Sequence, residues 1–267
     1  MKLNKIYCED CRNTMKRMPD NFIDLTVTSP PYDELREYNG YIFDFELIAR
    51  ELFRITKSGG VVVWIVGDQT KNGSESGTSF RQALYFKEIG FNLHDTMIYS
   101  SRKPPLTHNR YEQSFEYMFV FSKYKLTTFN PIMRKNRYVG LNVLRNGNWA
   151  SGKQKSAIRQ RPGKRKCKEF SYKNNIWFYN TGGWQSSKDS IAFKHPAIFP
   201  EQLAADHIYS WSNEGDLIYD PFGGSGTVAK KAIQMKRNWI ISEISKEYCA
   251  IAEKRIKPYL QQLTLAI

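Results

Sequence analysis

The sequence lacks the features that would direct it to a membrane or a secretory route. No run of about 18 apolar residues occurs, which argues against a transmembrane helix. The first ten residues, MKLNKIYCED, lack the long apolar core of a signal peptide. We therefore expect a cytosolic protein with no membrane partner.

Cysteine is scarce, since the 267 residues include only Cys8, Cys11, Cys167 and Cys249. Cys8 and Cys11 have the C-x-x-C spacing of half a zinc site. The other half is missing, because the remaining cysteines stand alone and no H-x3-5-H pair occurs. We interpret all four as ordinary reduced cysteines and expect no metal.

Acidic residues are few relative to basic ones. The chain has 26 Asp and Glu against 40 Lys and Arg, a formal net charge of +14. This excess suggests a polyanionic partner, nucleic acid before membrane. A hydrophobic fraction of 41% at this length fits one large domain, or one domain with an insert.

The positive charge is concentrated in one segment. Residues 131–173 contain thirteen Lys and Arg and the single acid Glu169, so +12 of the net charge lies there. Aromatic residues such as Trp149 and Tyr172 are interleaved with them. Basic side chains neutralise phosphates and rings stack on bases, which favours nucleic-acid contact over a solvated loop. The candidate nucleic-acid-binding residues are Arg134, Lys135, Arg137, Arg145, Lys153, Lys155, Arg159, Arg161, Lys164, Arg165 and Lys166.

Strand and helix patterns alternate along the rest of the chain. Continuous apolar runs predict buried parallel strands over 22–28, 60–66, 216–219 and 238–242. Helical periodicity covers 44–56, 79–89, 200–211 and 246–257. This alternation predicts an α/β fold with a doubly wound, mostly parallel, Rossmann-like sheet. Segments 94–100 and 114–122 predict an antiparallel hairpin at one edge of the sheet. The alternation of strands and helices stops between about 125 and 190.

The stretch DLIYDPFGGSGTVAKKA, residues 216–232, combines a strand, a glycine-rich turn and a helix start. Gly224-x-Gly226-x-x-Ala229 fits the nucleotide-binding fingerprint, and Glu243 follows nineteen residues after Gly224. No Gly-Lys-Ser/Thr follows, so it is not a P-loop. The fingerprint alone is compatible with NAD, FAD or S-adenosylmethionine. Asp220 at the strand tip would repel a pyrophosphate and suits a ligand with ammonium and sulfonium groups, which favours S-adenosylmethionine.

A second motif, TVTSPPY at residues 26–32, follows an apolar strand. Two consecutive prolines restrict the backbone and remove two N–H donors. A simple turn would more often use Gly, Asn or Asp. The tetrapeptide Ser29-Pro30-Pro31-Tyr32 is thus either a proline-rich turn or a rigid carbonyl beside a positioned ring.

Together, DPFGGSGT and SPPY resemble the amino-group DNA methyltransferases, which methylate an exocyclic nitrogen of cytosine or adenine. The order here, with SPPY first, then a variable basic segment and then the glycine loop, is similar to that of the β class. HPAIFPEQLA, residues 195–204, resembles the segment before the glycine loop in that class, and YCEDC, residues 7–11, its short N-terminal cofactor motif. Glu9 stands where that motif usually has Gly.

The resemblance implies a Rossmann-like methyltransferase sheet with an inserted target-recognition region, covering nearly the whole chain. It divides the chain into a catalytic part at 1–124, a target-recognition insert at 125–190 and a cofactor-binding part at 191–267. It implies S-adenosyl-L-methionine as cofactor and double-stranded DNA as partner. A cognate restriction endonuclease is a further family expectation, and dimers occur in this class.

The resemblance also assigns roles to residues. The glycine loop would hold the cofactor, Glu243 its ribose, Asp10 its adenine amino group, and the segment from His195 to Gln202 would close over its methionine end. The implied cofactor-binding residues are Asp10, His195, Pro196, Phe199, Gln202, Asp220, Pro221, Phe222, Gly224, Ser225, Gly226, Thr227 and Glu243. The implied catalytic residues are Ser29, Pro30, Pro31 and Tyr32.

This assignment explains the rigid SPPY stretch. An exocyclic amine is a poor nucleophile, because its lone pair is delocalised into the base. Two acceptors aimed at its N–H bonds, the Pro30 carbonyl and the Ser29 hydroxyl, would localise that lone pair and align it with the methyl group. Tyr32 would stack on the base after it has been flipped out of the duplex.

Several alternatives stay open at this point. Ser29, where adenine N6 enzymes more often have Asp, favours cytosine N4, with adenine N6 as the alternative. Methylation of cytosine C5 is disfavoured, because it needs a nucleophilic cysteine and no Pro-Cys pair occurs. An NAD- or FAD-binding oxidoreductase and a non-catalytic DNA-binding protein are more distant alternatives.

Overall fold

The computed structural model describes residues 1–31, 43–100, 111–144, 164–182, 185–195 and 198–265. It divides the chain into two compact units. Unit 1 comprises residues 1–130 and 175–267, and unit 2 comprises residues 131–174. No helix in the described ranges is long and apolar enough to span a bilayer.

Strands and helices alternate through most of unit 1. The strands are β1 Lys5–Tyr7, β2 Ile23–Thr28, β3 Thr56–Val66, β4 Thr70–Lys71, β5 Ser74–Glu75, β6 Asn92–Ser100, β7 Phe115–Ser122, β8 Met133–Lys135, β9 Asn142–Leu144, β10 Lys164–Lys166, β11 Phe170–Tyr172, β12 Ile176–Phe178, β13 Leu217–Asp220 and β14 Asn238–Ser242. The helices are α1 Cys11–Lys16, α2 Phe45–Ile55, α3 Thr78–Glu88, α4 Glu201–Trp211, α5 Thr227–Gln234 and α6 Lys246–Leu265, with a 3-10 helix at Ser190–Lys194.

Eight strands of unit 1 form one twisted sheet in the order β1-β14-β13-β2-β3-β7-β6-β12. The five strands from β1 to β3 are all parallel. The four predicted strands are confirmed as β2, β3, β13 and β14, and the mostly parallel α/β fold is confirmed with them. β3 begins at Thr56, earlier than predicted, because the β2–β3 pairing is irregular between Ile23 and Leu25 and accommodates extra residues around Gly59.

The predicted hairpin is present as β6 and β7, which pair antiparallel along most of their length. β7 joins the sheet antiparallel to β3, so β6 runs in the same direction as β3. A strand that the sequence reading did not predict, β12, pairs parallel with β6 and lies outside it. Its short Ile-Trp-Phe run gives too little periodicity to be identified from sequence.

Helices cover both faces of the sheet. Val62, Trp64 and Val66 of β3 pack in one core cluster with residues of α1, α2 and α3. The intervening Val63 and Ile65 point to the opposite face and are equally buried. On that face α4 packs against β2, and α5 packs against β13 and β14. Strands buried on both faces account for the continuous apolar runs in the sequence.

Unit 2 consists of two short antiparallel ribbons. β8 pairs with β11, and β9 pairs with β10. Met133, Phe170 and Tyr172 of the first ribbon are exposed. This unit lies inside the predicted insert 125–190, and its two ribbons were not predicted from the sequence.

Leu52 tests the core that α2 forms with the sheet, because its side chain is completely buried there. We expect Leu52→Ala to lower the free energy of unfolding by about 2–5 kcal/mol, from lost apolar transfer and the residual cavity. Urea denaturation measures this loss. Leu52→Met, which conserves volume, is the matched control and should cost less than about 1.5 kcal/mol; equal losses would contradict this packing.

Candidate active site

The candidate site lies where the carboxyl ends of four neighbouring parallel strands meet. In sheet order these strands are β1, β14, β13 and β2. They are followed along the chain by Asp10, Glu243, the glycine loop after Asp220, and Ser29. Ligands of open α/β sheets bind outside this edge. The fold therefore brings to one edge the motifs that are widely separated in the sequence.

A hydrogen bond joins the ends of β2 and β13. The Thr28 hydroxyl donates to Asp220 Oδ1 at 2.7 Å, and the same oxygen accepts from the Phe222 amide at 3.0 Å. Asp220 is only 5% exposed. Burial raises its pKa to about 7, and the Thr28 and Phe222 hydrogen bonds counteract part of that shift. Asp220 thus titrates near neutral pH, and its partner Thr28 directly precedes the motif that begins at Ser29.

The glycine loop is held by Glu243 at the end of β14. The Gly224 amide donates to Glu243 Oε2 and the Ser245 amide to Oε1, each at 2.8 Å. Burial raises the pKa of Glu243, while these backbone hydrogen bonds lower it in part. Gly226 has φ +77°, and a Cβ there would lie 2.9 Å from the Ala252 Cβ. Glycine at 226 is therefore required by both backbone conformation and helix packing.

His195 covers the loop from the other side. A Cβ on Gly224 would lie 3.1 Å from His195 Nε2. The His195 ring is buried, with its centroid 4.3 Å from that of Tyr248. Phe199 is half-buried, whereas Gln202 is exposed and donates to Asp206 Oδ1 at 2.6 Å. The structure thus brings His195 to the loop, while the Gln202 amide bonds within its own helix.

Asp10 caps helix α1. Its carboxylate accepts from the Arg12 amide at 2.8 Å and forms an ion pair with Arg12 Nη2 at 2.6 Å. Burial raises the pKa of Asp10, but the Arg12 hydrogen bonds outweigh it and the net shift is downward. Glu9, at the position where a glycine was expected, bonds to Thr14 and Arg17. Both acids therefore contribute to the start of α1.

The motif at the end of β2 is described as far as Pro31. Ser29 and Pro31 are half-buried, and Pro30 is buried. Two implied site residues, Tyr32 and Pro196, lie outside the described residues. On the β13 side Pro221 is buried, and the Phe222 ring packs edge-on against Phe43 with centroids 5.7 Å apart.

The hydroxyls of two loop residues are bonded to a residue of α6. The Ser225 and Thr227 hydroxyls lie 3.0 and 2.8 Å from Arg255 Nη1, on the side of the loop that faces α6. The sequence reading missed Arg255 as well as Thr28. A Thr directly before SPPY was visible, but its partner 192 residues away was not. Nothing in the local sequence marks Arg255, since it lies in a charged helix of ordinary composition.

The predicted DNA-binding residues fall in or next to unit 2. Arg134, Lys135, Arg137 and Lys166 are exposed. Arg134 Nε donates to the Ser171 hydroxyl at 3.3 Å, and Lys135 lies 3.9 Å from Glu169. Lys164 and Arg165 belong to β10. Arg145, Lys153, Lys155, Arg159 and Arg161 lie outside the described residues.

The four cysteines differ in how deeply they are buried. Cys11 and Cys249 are buried, Cys167 is half-buried and Cys8 is exposed, and none of the four forms a disulfide. Within the described ranges, no group of three or more His, Cys, Asp or Glu side chains is arranged to hold a metal ion.

The family described as DNA methylase matches residues 23–254 of the chain. The orphan methyltransferase M.BamHII of Bacillus amyloliquefaciens is 56% identical over 252 residues, which covers 90% of this chain and 91% of that protein. The type II methyltransferase M.BglII of Bacillus subtilis is 26% identical over 94% of this chain and 68% of its own.

Solved structures share the fold. PvuII DNA methyltransferase, described as cytosine-N4-specific, matches with a TM-score of 0.70 and 20% identity over 97% of this chain and 91% of its own. A putative DNA modification methylase from Thermus thermophilus, complexed with S-adenosyl-L-methionine, matches with a TM-score of 0.64 and 20% identity. That match covers 96% of this chain and 93% of the other.

Removing the Thr28 hydroxyl tests its coupling to Asp220. Because that hydrogen bond lowers the pKa of Asp220, Thr28→Val should raise this pKa above about 7. A carboxyl whose pKa is higher folded than unfolded contributes stability at low pH that is lost as pH rises through the folded pKa. The Val variant should therefore lose more stability relative to the wild type at pH 8.5 than at pH 5.5, by about 1.4 kcal/mol per unit of pKa shift.

Urea unfolding of both proteins at the two pH values measures this difference. Asp220→Asn is the control. When Thr28→Val is added to Asp220→Asn, the further loss of stability should be the same at both pH values, because residue 220 no longer titrates. A stability loss from Thr28→Val that is the same at both pH values would exclude the coupling.

Proposed function

The chain belongs to the DNA methylase family, and from that membership we propose that it transfers the methyl group of S-adenosyl-L-methionine to the exocyclic N4 of cytosine in duplex DNA. The observation that carries the proposal is the hydrogen bond between Thr28 and Asp220. It places the Ser-Pro-Pro motif directly beside the glycine loop, as transfer between a base and a cofactor requires.

The residues present fit the cofactor. Asp220, a buried carboxylate at the loop, suits the cationic part of S-adenosyl-L-methionine. The loop ends at the amino terminus of α5, where the helix dipole favours an anionic group such as the methionine carboxylate. Gly224 and Gly226 give the loop its left-handed backbone conformation, with φ +48° and +77°. When bound there, the cofactor supplies an electrophilic methyl group on a sulfonium.

The chain's own contribution to chemistry is to position and polarise the target amine. The Pro30 carbonyl and the Ser29 hydroxyl act as the two acceptors for its N–H bonds, and Pro31 restricts the peptide unit that carries the carbonyl. Holding the amine nitrogen in line with the methyl group makes the reaction effectively unimolecular, which lowers its entropic cost. The base reaches this position by flipping out of the duplex, and Tyr32 stacks on it.

Cytosine is proposed over adenine on the identity of residue 29. A neutral serine hydroxyl stands there, and the resemblance associates it with cytosine N4 enzymes. Domain boundaries follow the same proposal, with 1–124 catalytic, 125–190 for target recognition and 191–267 for the cofactor.

Double-stranded DNA is the proposed partner, and the exposed basic residues of unit 2 are its proposed contacts. The family's restriction endonuclease partner stays a prediction. One relative is described as an orphan methyltransferase and another as a type II enzyme. A homodimer and a cytoplasmic location likewise stay predictions.

Mass spectrometry of methylated DNA tests the base. The purified protein is incubated with duplex DNA and methyl-labelled cofactor, and the nucleosides are separated after digestion. We expect labelled N4-methylcytosine. Labelled N6-methyladenine would overturn the assignment of the base, and no labelled nucleoside on any DNA would overturn the proposed activity.

Ser29→Ala tests the acceptor pair. Loss of one polarising group should lower kcat by about 10²-fold, while the Kd for S-adenosyl-L-methionine stays unchanged. Ser29→Thr keeps the acceptor oxygen and is the matched control, expected to retain more activity than the alanine variant. Wild-type kcat in Ser29→Ala would refute the role of this hydroxyl.

Neutralising unit 2 tests its contact with DNA. Lys135→Gln with Arg137→Gln should weaken DNA binding and flatten the dependence of log K on log salt by about 1 for each lost phosphate contact. The double variant Lys16→Gln with Lys87→Gln is the charge-matched control. Both lysines are exposed and lie in the last turns of α1 and α3, at the amino edge of the sheet. Equal slopes in the two double variants would contradict the assignment.

A further inference from the structure

A buried ionic cluster lies behind the glycine loop. We call it the loop-anchor cluster, formed by Ser187, Asp189, Glu201, Lys230 and Arg255. The Arg255 side chain is 0% exposed and that of Lys230 is 3% exposed. The cluster joins the segment before His195 to helices α4, α5 and α6.

Arg255 is the member that contacts the loop. Its Nη1 donates to the Ser225 carbonyl at 3.1 Å, to the Ser225 hydroxyl at 3.0 Å and to the Thr227 hydroxyl at 2.8 Å. These three contacts fix both residues that flank Gly226. A planar guanidinium offers several donors in a rigid fork, so it can hold a loop and an acid at once.

The remaining donors of Arg255 face the segment that leads to His195 and α4. Its Nε pairs with Asp189 Oδ2 at 2.9 Å and its Nη2 with Glu201 Oε1 at 2.7 Å. Lys230 of α5 forms ion pairs with the same two acids, since its Nζ lies 2.7 Å from Asp189 Oδ2 and 2.7 Å from Glu201 Oε1. The Arg255 side chain therefore connects the glycine loop with the segment that leads to His195.

The two acids of the cluster have lowered pKa values. Burial raises the pKa values of Asp189 and Glu201, but the bonds from their cationic partners outweigh it and both are lowered. Burying charges in this way adds little net stability, since replacing a buried ion network with apolar side chains is often neutral or stabilising. What such a network does provide is one fixed geometry, because every donor and acceptor has a designated partner.

That geometry matters at the loop because the spacing there is tight. His195 Nε2 lies 3.1 Å from the position of a Cβ on Gly224. A shift of about 1 Å in the loop or in the segment that carries His195 would break this contact and change the shape of the proposed cofactor site.

We propose that Arg255 is a positioning residue for S-adenosyl-L-methionine, holding the glycine loop against the segment that carries His195. The proposal rests on the cofactor site proposed above and adds to it a residue that does not touch the cofactor.

Three variants test this. Arg255→Lys keeps a charge but loses the fork, Arg255→Met removes both, and Thr227→Val removes one hydroxyl contact while leaving every ion pair. We expect the calorimetric Kd for S-adenosyl-L-methionine to rise about tenfold or more in Arg255→Lys, further in Arg255→Met and less in Thr227→Val. The KM for the cofactor should rise with the Kd, while the KM for DNA is unchanged.

Two controls separate positioning from stability. Leu52→Ala destabilises the core that α1, α2 and α3 form with the sheet, and it should lower the melting temperature while keeping the wild-type Kd. Lys231→Gln removes the 2.9 Å ion pair to Glu201 Oε2, which no loop residue shares, and should also keep it. Amide hydrogen exchange of residues 223–227 without cofactor should be faster in the Arg255 and Thr227 variants than in the wild type, and unchanged in the two controls.

The outcomes are distinct. Arg255→Lys and Thr227→Val proteins that bind the cofactor with wild-type Kd, even with lower melting temperatures, would overturn the proposal and leave the proposed function intact. Absence of binding by the wild type would instead overturn the proposed function. If Arg255→Met does not fold, Arg255→Lys and Thr227→Val decide alone.

Discussion

The hydrogen bond from Thr28 to Asp220 joins two strand ends that are 192 residues apart along the chain. It places the proposed base-binding motif and the proposed cofactor loop on adjacent strands of one parallel sheet. The same contact holds a buried carboxylate whose pKa lies at about 7, because burial outweighs the two hydrogen bonds that favour its ionised form. Methyl transfer needs both partners at one point, and this bond fixes the distance between their binding segments.

The glycine loop is restrained from two sides. Glu243 accepts the Gly224 amide, and Arg255 binds the Ser225 and Thr227 hydroxyls from behind. A loop that approaches a ligand by its backbone needs glycines, and glycines are flexible. The carboxylate and the guanidinium restore the rigidity that the glycines remove. Glu243 is therefore a structural partner of the loop in addition to its proposed contact with the ribose.

Much of the fold was predictable because its central strands are buried on both faces. Continuous apolar runs identified β2, β3, β13 and β14, and the hairpin of β6 and β7 was apparent from its aromatic and β-branched residues. The short strands β1 and β12 and the ribbons of unit 2 were missed, since three residues cannot show a periodicity. At the site, Glu243 was predicted from its spacing after Gly224 and Asp220 from its place at the tip of the strand before the loop, whereas Arg255 and the ionic cluster had no local signal.

The sequence by itself determined the order of the motifs, the glycine positions and the concentration of positive charge in one segment. These properties can be identified without a structure, because they depend on residue type and position along the chain and not on which segments meet in space. Only the tertiary structure decided which side of the loop the Ser225 and Thr227 hydroxyls face and which partners the buried charges have. Those choices depend on residues from distant segments that meet only when the sheet forms and α6 packs against the loop.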